Sequence, residues 1–168
     1  MSWASAPKRS RLADSKKQSA GLLMFRRGSV GVELFVVHPG GPFFAKKDNG
    51  AWSIPKGLIE EEEDRLSAAR REFTEETGLE TPEEGYVSLG VITQKSGKVV
   101  QAWAFEGDCD PNAITSNTFD MEWPPRSGRK RTFPEVDRAT FCSLEEARLK
   151  LVPAQVEFVE RLEEIVNS

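Results

Sequence analysis

The stretch Gly57–Leu79, GLIEEEEDRLSAARREFTEETGL, fits the pattern G-x5-E-x7-R-E-U-x-E-E-x-G-U, with U an apolar residue. Gly57, Glu63, Arg71, Glu72, Phe73, Glu75, Glu76, Gly78 and Leu79 fill its positions without a gap. Leu66, Ala68, Ala69, Arg70, Arg71, Glu72, Phe73, Glu75 and Glu76 make a run of good helix formers with no proline or glycine inside it. Asp64 is placed to cap or charge the first turn, and Gly78 to end the helix in a left-handed conformation. At about 100° per residue, Leu66, Ala69, Phe73 and Thr77 fall on one side, which is expected to be buried. Glu72, Glu75 and Glu76 share an adjacent arc, because positions three and four apart are neighbours on a helix.

Three neighbouring carboxylates repel one another, and a bound cation removes that conflict. Magnesium suits them, being a hard ion that takes carboxylate oxygens and keeps several waters; manganese is the alternative. Gly57 lets the backbone approach closely enough for its carbonyl to serve as a further ligand. Arg71, one turn before Glu75, is placed to orient a carboxylate by a charge-assisted contact. Glu60, Glu61 and Glu62 hold no required position and read as a solvated acidic run.

The composition limits the alternatives. A chain of 168 residues fits one domain with a proper core. The net charge of −4 argues against broad nucleic-acid binding. His38 is the only histidine, which excludes a His-rich metal cage and disfavours a Ser-His-Asp triad. Cys109 and Cys142 are far apart in sequence and out of metal-ligand spacing, as expected of reduced thiols in a cytoplasmic protein. No apolar run is long enough to span a membrane. There is neither a P-loop nor a G-x-G-x-x-G.

Residues 1–17 read as a flexible, mildly basic tail and residues 18–168 as the domain. Ala20–Arg26 and Val30–His38 are expected to form strands, followed by a chain reversal at Pro39–Pro42. A short strand is expected at Ala51–Ile54, then, after the helix, a hairpin of Tyr86–Thr93 with Val99–Glu106. Ser116–Trp123 reads as a short strand or an extended segment, Pro124–Arg131 as a basic loop and Arg138–Cys142 as a strand. A helix follows around Leu144–Leu151, and Pro153 suits the first turn of a last helix.

The Gly57–Leu79 stretch resembles the signature of the Nudix hydrolases, and the likeness extends on both sides. Trp52-Ser53-Ile54-Pro55-Lys56-Gly57 resembles the lead-in of Nudix enzymes that act on dinucleoside polyphosphates and related substrates. Phe133–Phe141 resembles the family's late strand. HPGGPFFAKKDNGAWSIPKG together with EWPPRSGRKRTFPEVDRATF looks like a bacterial subgroup without a settled substrate. The resemblance implies an α/β/α sandwich, α/β (α+β) in class, with a mixed central sheet. It makes Glu72, Glu75, Glu76 and the Gly57 carbonyl the metal ligands, with Glu63 in support and Arg71 holding the glutamates in place.

The general base in relatives is a box glutamate or an acid on a separate loop. Here Glu72 is favoured, with Glu135 as the loop candidate, acting on a water acidified by the metal. Lys56, Lys46 and Arg126 are candidate phosphate contacts. Trp52, Phe43 and Phe44 could each stack on a purine or pack into the core. The activity expected is a Mg2+-dependent pyrophosphohydrolase cutting a nucleoside diphosphate linked to another moiety. Dinucleoside polyphosphates or (d)NTPs are preferred, with nucleotide sugars and ADP-ribose open. The alternative is a Nudix-fold nucleotide or RNA sensor without catalysis. The oligomeric state is left open.

Overall fold

The computed structural model describes residues 18–168; the expected tail over residues 1–17 lies outside them. Strands β1 (Gln18–Gly28) and β2 (Gly31–Pro39) form an antiparallel pair. The strand β3 (Lys56–Leu58) leads through the acidic loop into helix α1 (Arg65–Thr77), and the β4 (Val87–Thr93) and β5 (Val99–Glu106) hairpin follows. Next come β6 (Thr118–Glu122), β7 (Lys130–Pro134) and β8 (Val136–Ser143), then helices α2 (Leu144–Lys150) and α3 (Val156–Val166).

The central sheet runs β4-β5-β1-β2-β8, with β3 added to the end of β1. Its β1–β5 pair is parallel and the other pairs are antiparallel, so the sheet is mixed. Alternation along β1 sends its side chains to two cores. Ala20, Leu22 and Met24 face α1, where Ala68, Ala69 and Phe73 pack with Phe35 and Phe105. Leu23 and Phe25 face the C-terminal helices, whose Ala147, Phe158, Val159 and Leu162 complete the other layer. The result is the expected α/β/α sandwich. Phe73 is fully buried, with rings of Phe35 and Phe105 at 6.1 and 5.5 Å. Truncating such a residue to alanine costs about 3–5 kcal/mol, and here that energy fixes the rotation of α1.

Both ends of α1 are set locally. The Asp64 carboxylate accepts from Ser67 N–H at 3.0 Å. Gly78 takes φ 77°, and its N–H donates to the Thr74 carbonyl. Ala68 joins Ala69, Phe73 and Thr77 on the inner side, and Leu66, partly buried, packs against the same core.

Several expectations need correction. Val30 is a turn residue, 91% exposed, instead of the first residue of β2. Ala51–Ile54 makes only single bridges, Ser53 to Val37 and Trp52 to Leu151, and the strand begins at Lys56. Lys130 and Arg131 belong to β7, which pairs with β6 in a separate two-stranded sheet. Pro153 opens a single 3-10 turn, Pro153–Gln155, and α3 starts after it.

Candidate active site

Gly57 lies in β3 opposite Ala20 of β1, and α1 crosses over it. A Cβ at this position would stand 1.9 Å from Glu72 Oε1, so glycine is required for the carboxylate to lie against the backbone. Glu72 is buried. Burial pushes its carboxyl up; Arg71 opposes this, while the charges of Glu75 and Glu135 add to it.

Arg71 ties the acidic loop to the helix. Its Nε and Nη2 donate to the two oxygens of Glu63 at 2.8 and 2.9 Å, a bidentate pair. Its Nη1 donates to Glu72 and Glu75 at 2.7 and 3.0 Å, and Nη2 also reaches the Leu58 carbonyl. The contact with Glu63 comes first in holding that carboxyl below the usual range. Glu60, Glu61 and Glu62 are exposed.

Glu76 faces inward beside Lys56, whose backbone N–H donates to its Oε1 at 3.3 Å. Burial pushes the Glu76 carboxyl up to about 8, against the opposing charge of Lys56. Burial, and then the charge of Lys98, bring the Lys56 ammonium down to about 8. The two line a cavity of about 130 Å³ together with Pro39, Ser53, Glu135 and Val136. Glu135 joins β7 to β8, and its carboxyl is raised by burial and by the charge of Glu75. Five carboxylates from the helix and two loops thus belong to one electrostatic group: Glu63, Glu72, Glu75, Glu76 and Glu135. Pro39 and Ser53 also line the cavity and Lys98 acts on Lys56 through its charge, and none of the three was singled out from the sequence as a site residue.

A hard divalent cation fits this donor set, which is all oxygen and carries an excess of negative charge. The space against Gly57 that a Cβ would fill also lets the Gly57 backbone and Glu72 approach a common ligand. Among the described residues, no three His, Cys, Asp or Glu side chains are gathered as a finished ion cage. Glu72 and Glu75 each turn one oxygen to Arg71.

The remaining candidates are distributed unevenly. Trp52 is 4% exposed, its Nε1 donates to Asp48 at 2.7 Å, and its ring packs edge-on to His38. The Arg138 and Lys150 cations lie 5.2 Å from its ring centroids, against a side chain that is already buried. Trp52 is therefore a core residue and not a substrate contact. His38 is fully buried and hydrogen-bonded to Asp137 and to the Lys47 carbonyl, a structural role. Lys46 and Arg126 are exposed on separate turns outside the cavity lining. Phe43 and Phe44 are 59% and 39% exposed.

A NUDIX domain model matches residues 15–162. The chain belongs to the NUDIX family. No curated protein matches it. Solved structures resemble this NUDIX chain in fold at low identity. An Ap4A hydrolase from C. elegans, in a binary complex, is 19% identical with a TM-score of 0.60, over 89% of this chain and 97% of that one. The NUDIX domain of Shewanella oneidensis NrtR, complexed with ADP ribose, is 15% identical with a TM-score of 0.62, over 95% and 98%. A MutT protein from Methanosarcina mazei Go1 is 19% identical with a TM-score of 0.56, over 90% and 95%. NUDIX membership supports a hydrolase acting on phosphoanhydride bonds. No helix among the described residues is long and apolar enough to cross a membrane.

Proposed function

We propose that this NUDIX protein is a divalent-metal-dependent pyrophosphohydrolase acting on a nucleoside diphosphate linked to another moiety. Dinucleoside polyphosphates or (d)NTPs are the preferred substrates. The reading rests on one observation: Glu72, pressed against Gly57, shares Arg71 with Glu63 and Glu75 and its electrostatic field with Glu76 and Glu135. Similarity to an Ap4A hydrolase and a MutT protein is consistent with this choice of substrate.

Glu72, Glu75, Glu76 and the Gly57 carbonyl would hold Mg2+, or Mn2+ in its place. When bound, the ion supplies Lewis acidity toward phosphate oxygens and lowers the pKa of water. Arg71 keeps Glu72 and Glu75 at a fixed separation, with Glu63 anchoring its guanidinium. Glu72, with its raised pKa, takes a proton from the attacking water, and Glu135 is the second carboxylate within the same group. Lys56 offsets charge on a phosphate oxygen entering the cavity, with Lys46 and Arg126 as outer contacts. A cytoplasmic location accompanies this reading.

Glu72→Gln and Glu76→Gln should each remove most turnover, about 10²-fold or more, with the fold kept. Product release from dinucleoside polyphosphates, (d)NTPs, ADP-ribose and nucleotide sugars in Mg2+ and Mn2+ tests the reaction and ranks the substrates. Tight nucleotide binding in Mg2+ with no phosphate product over hours would make the protein a sensor instead.

A further inference from the structure

Four residues along the chain from Pro39 of the cavity lining is one ring of an aromatic pair that lies outside the carboxylate group. Phe43, more than half exposed, meets Trp123 of the β6–β7 connection edge to face, with ring centroids 5.5 Å apart. Phe44 is also exposed and carries the Lys47 ammonium 5.4 Å from its ring centroid.

The two segments that carry these rings are fastened to the acidic group. Asn117 N–H donates to the Glu75 carbonyl at 2.7 Å, and Glu135 N–H to the Asn117 carbonyl at 2.8 Å. Gly40 N–H donates to the Glu135 carbonyl at 2.9 Å. Pro39 lines the cavity with Lys56, Glu76 and Glu135, and Phe43 follows in the next turn of chain. The hairpin also leans on that turn directly, since a Cβ on Gly41 would meet the Phe119 ring at 3.0 Å.

Charge distinguishes this surface from the rest of the chain. Residues 40–47 and 118–134 carry Lys46, Lys47, Arg126, Arg129, Lys130 and Arg131 against two acids, in a protein of net charge −4. Both acids are engaged within the hairpin, Asp120 accepting from Thr132 and Glu122 from Gly128 N–H. Segments with an excess of cations that also carry exposed rings match a ligand that is polyanionic along its length and ends in a flat π system.

We propose that Phe43 and Trp123 hold a nucleobase at the end of the substrate remote from the cleaved anhydride, with the polyphosphate running from them to the Lys56–Glu76–Glu135 cavity. This rests on the proposed hydrolase reading and narrows it to substrates with a base at both ends, the dinucleoside polyphosphates. Phe43 and Trp123 set specificity; they take no part in the chemistry.

The test compares wild type, Phe43→Ala and Phe43→Tyr on diadenosine tetraphosphate and on adenosine tetraphosphate, which lacks the second base. Phe43→Ala should raise KM for the dinucleotide about tenfold, as expected for a lost base–aromatic stack. Its kcat should change little, adenosine tetraphosphate should be almost unaffected, and Phe43→Tyr should restore KM. Equal effects on both substrates, or a change in kcat alone, would overturn the assignment. Equilibrium binding of a non-hydrolysable diadenosine tetraphosphate analogue, read without turnover, separates this inference from the reaction. Weakening by Phe43→Ala supports the base site even if the protein hydrolyses nothing. Unchanged binding rejects it even if hydrolysis is brisk.

Discussion

Gly57 and Glu72 occupy adjoining space that one methyl group would close: a Cβ on Gly57 would lie 1.9 Å from Glu72 Oε1 and 2.0 Å from its Cδ. The group in the way is the far end of a flexible side chain, so the conflict is relieved by displacing the carboxylate and leaving the backbone in place. Gly57→Ala should therefore fold nearly normally while losing about 10²-fold in kcat/KM, the scale of a misplacement near 1 Å. It should also lose most of the rise in Tm that Mg2+ gives wild type. Melting curves with and without Mg2+, beside steady-state kinetics, check this; activity within twofold of wild type would refute it.

Arg71 spans Glu63, Glu72 and Glu75 with one planar fork. A lysine ammonium is a point charge and cannot make the bidentate contact. Arg71→Lys should thus resemble Arg71→Ala, both losing about 10²-fold in turnover and about 1–3 kcal/mol of stability from carboxylates left without partners. Denaturant melts and kinetics on the two variants test this, and a lysine variant with near-normal kcat would contradict it.

Glu76 gives a pH prediction whose sign follows from its burial. Its folded-state pKa of about 8 lies above the ordinary 4.5, so the fold favours the protonated acid. That contribution is full at acid pH and is lost as pH rises through about 8. Glu76→Gln should leave Tm unchanged near pH 4 and raise it above wild type at pH 9 without metal. At pH 9 Lys56, brought down to about 8, is mostly neutral and little affected by losing its partner. Metal should reverse the order, stabilising wild type and not the variant. A Tm difference independent of pH would rule this account out.

Cys142 is 3% exposed, and burial pushes its thiol up to about 12. Only the thiolate reacts with alkylating agents. In native protein at pH 8, iodoacetamide should label Cys109, which is partly exposed, well before Cys142. Peptide mass mapping reads the order directly, and prompt labelling of Cys142 would show that this core layer opens easily.

The parts of the fold that local chemistry dictates were legible from the chain alone. Asp64 and Gly78 bound α1 through bonds to residues three and four away, so their roles are written within a single turn. Alternation likewise exposed β1, β2 and the β4–β5 hairpin. A short strand was readable at Ser116–Trp123, where β6 lies, but β7 and its pairing with β6 were not, because the Arg126–Arg131 run that leads into β7 is as polar as a loop. Trp52 carried the same ambiguity: an aromatic before the metal glycine could face a purine or the core.

By itself the sequence determined the helix, its carboxylate arc and the glycine that must lie beneath it, since each depends on spacing along one short segment. Only the tertiary structure decided what surrounds that arc. Lys150 and Arg138 come from about a hundred residues downstream to cover Trp52, and Glu135 reaches the field of Glu75 and Glu76 because the β7–β8 junction crosses there. Contacts of that range follow from strand pairing and from which surfaces bury together, and no local pattern records them.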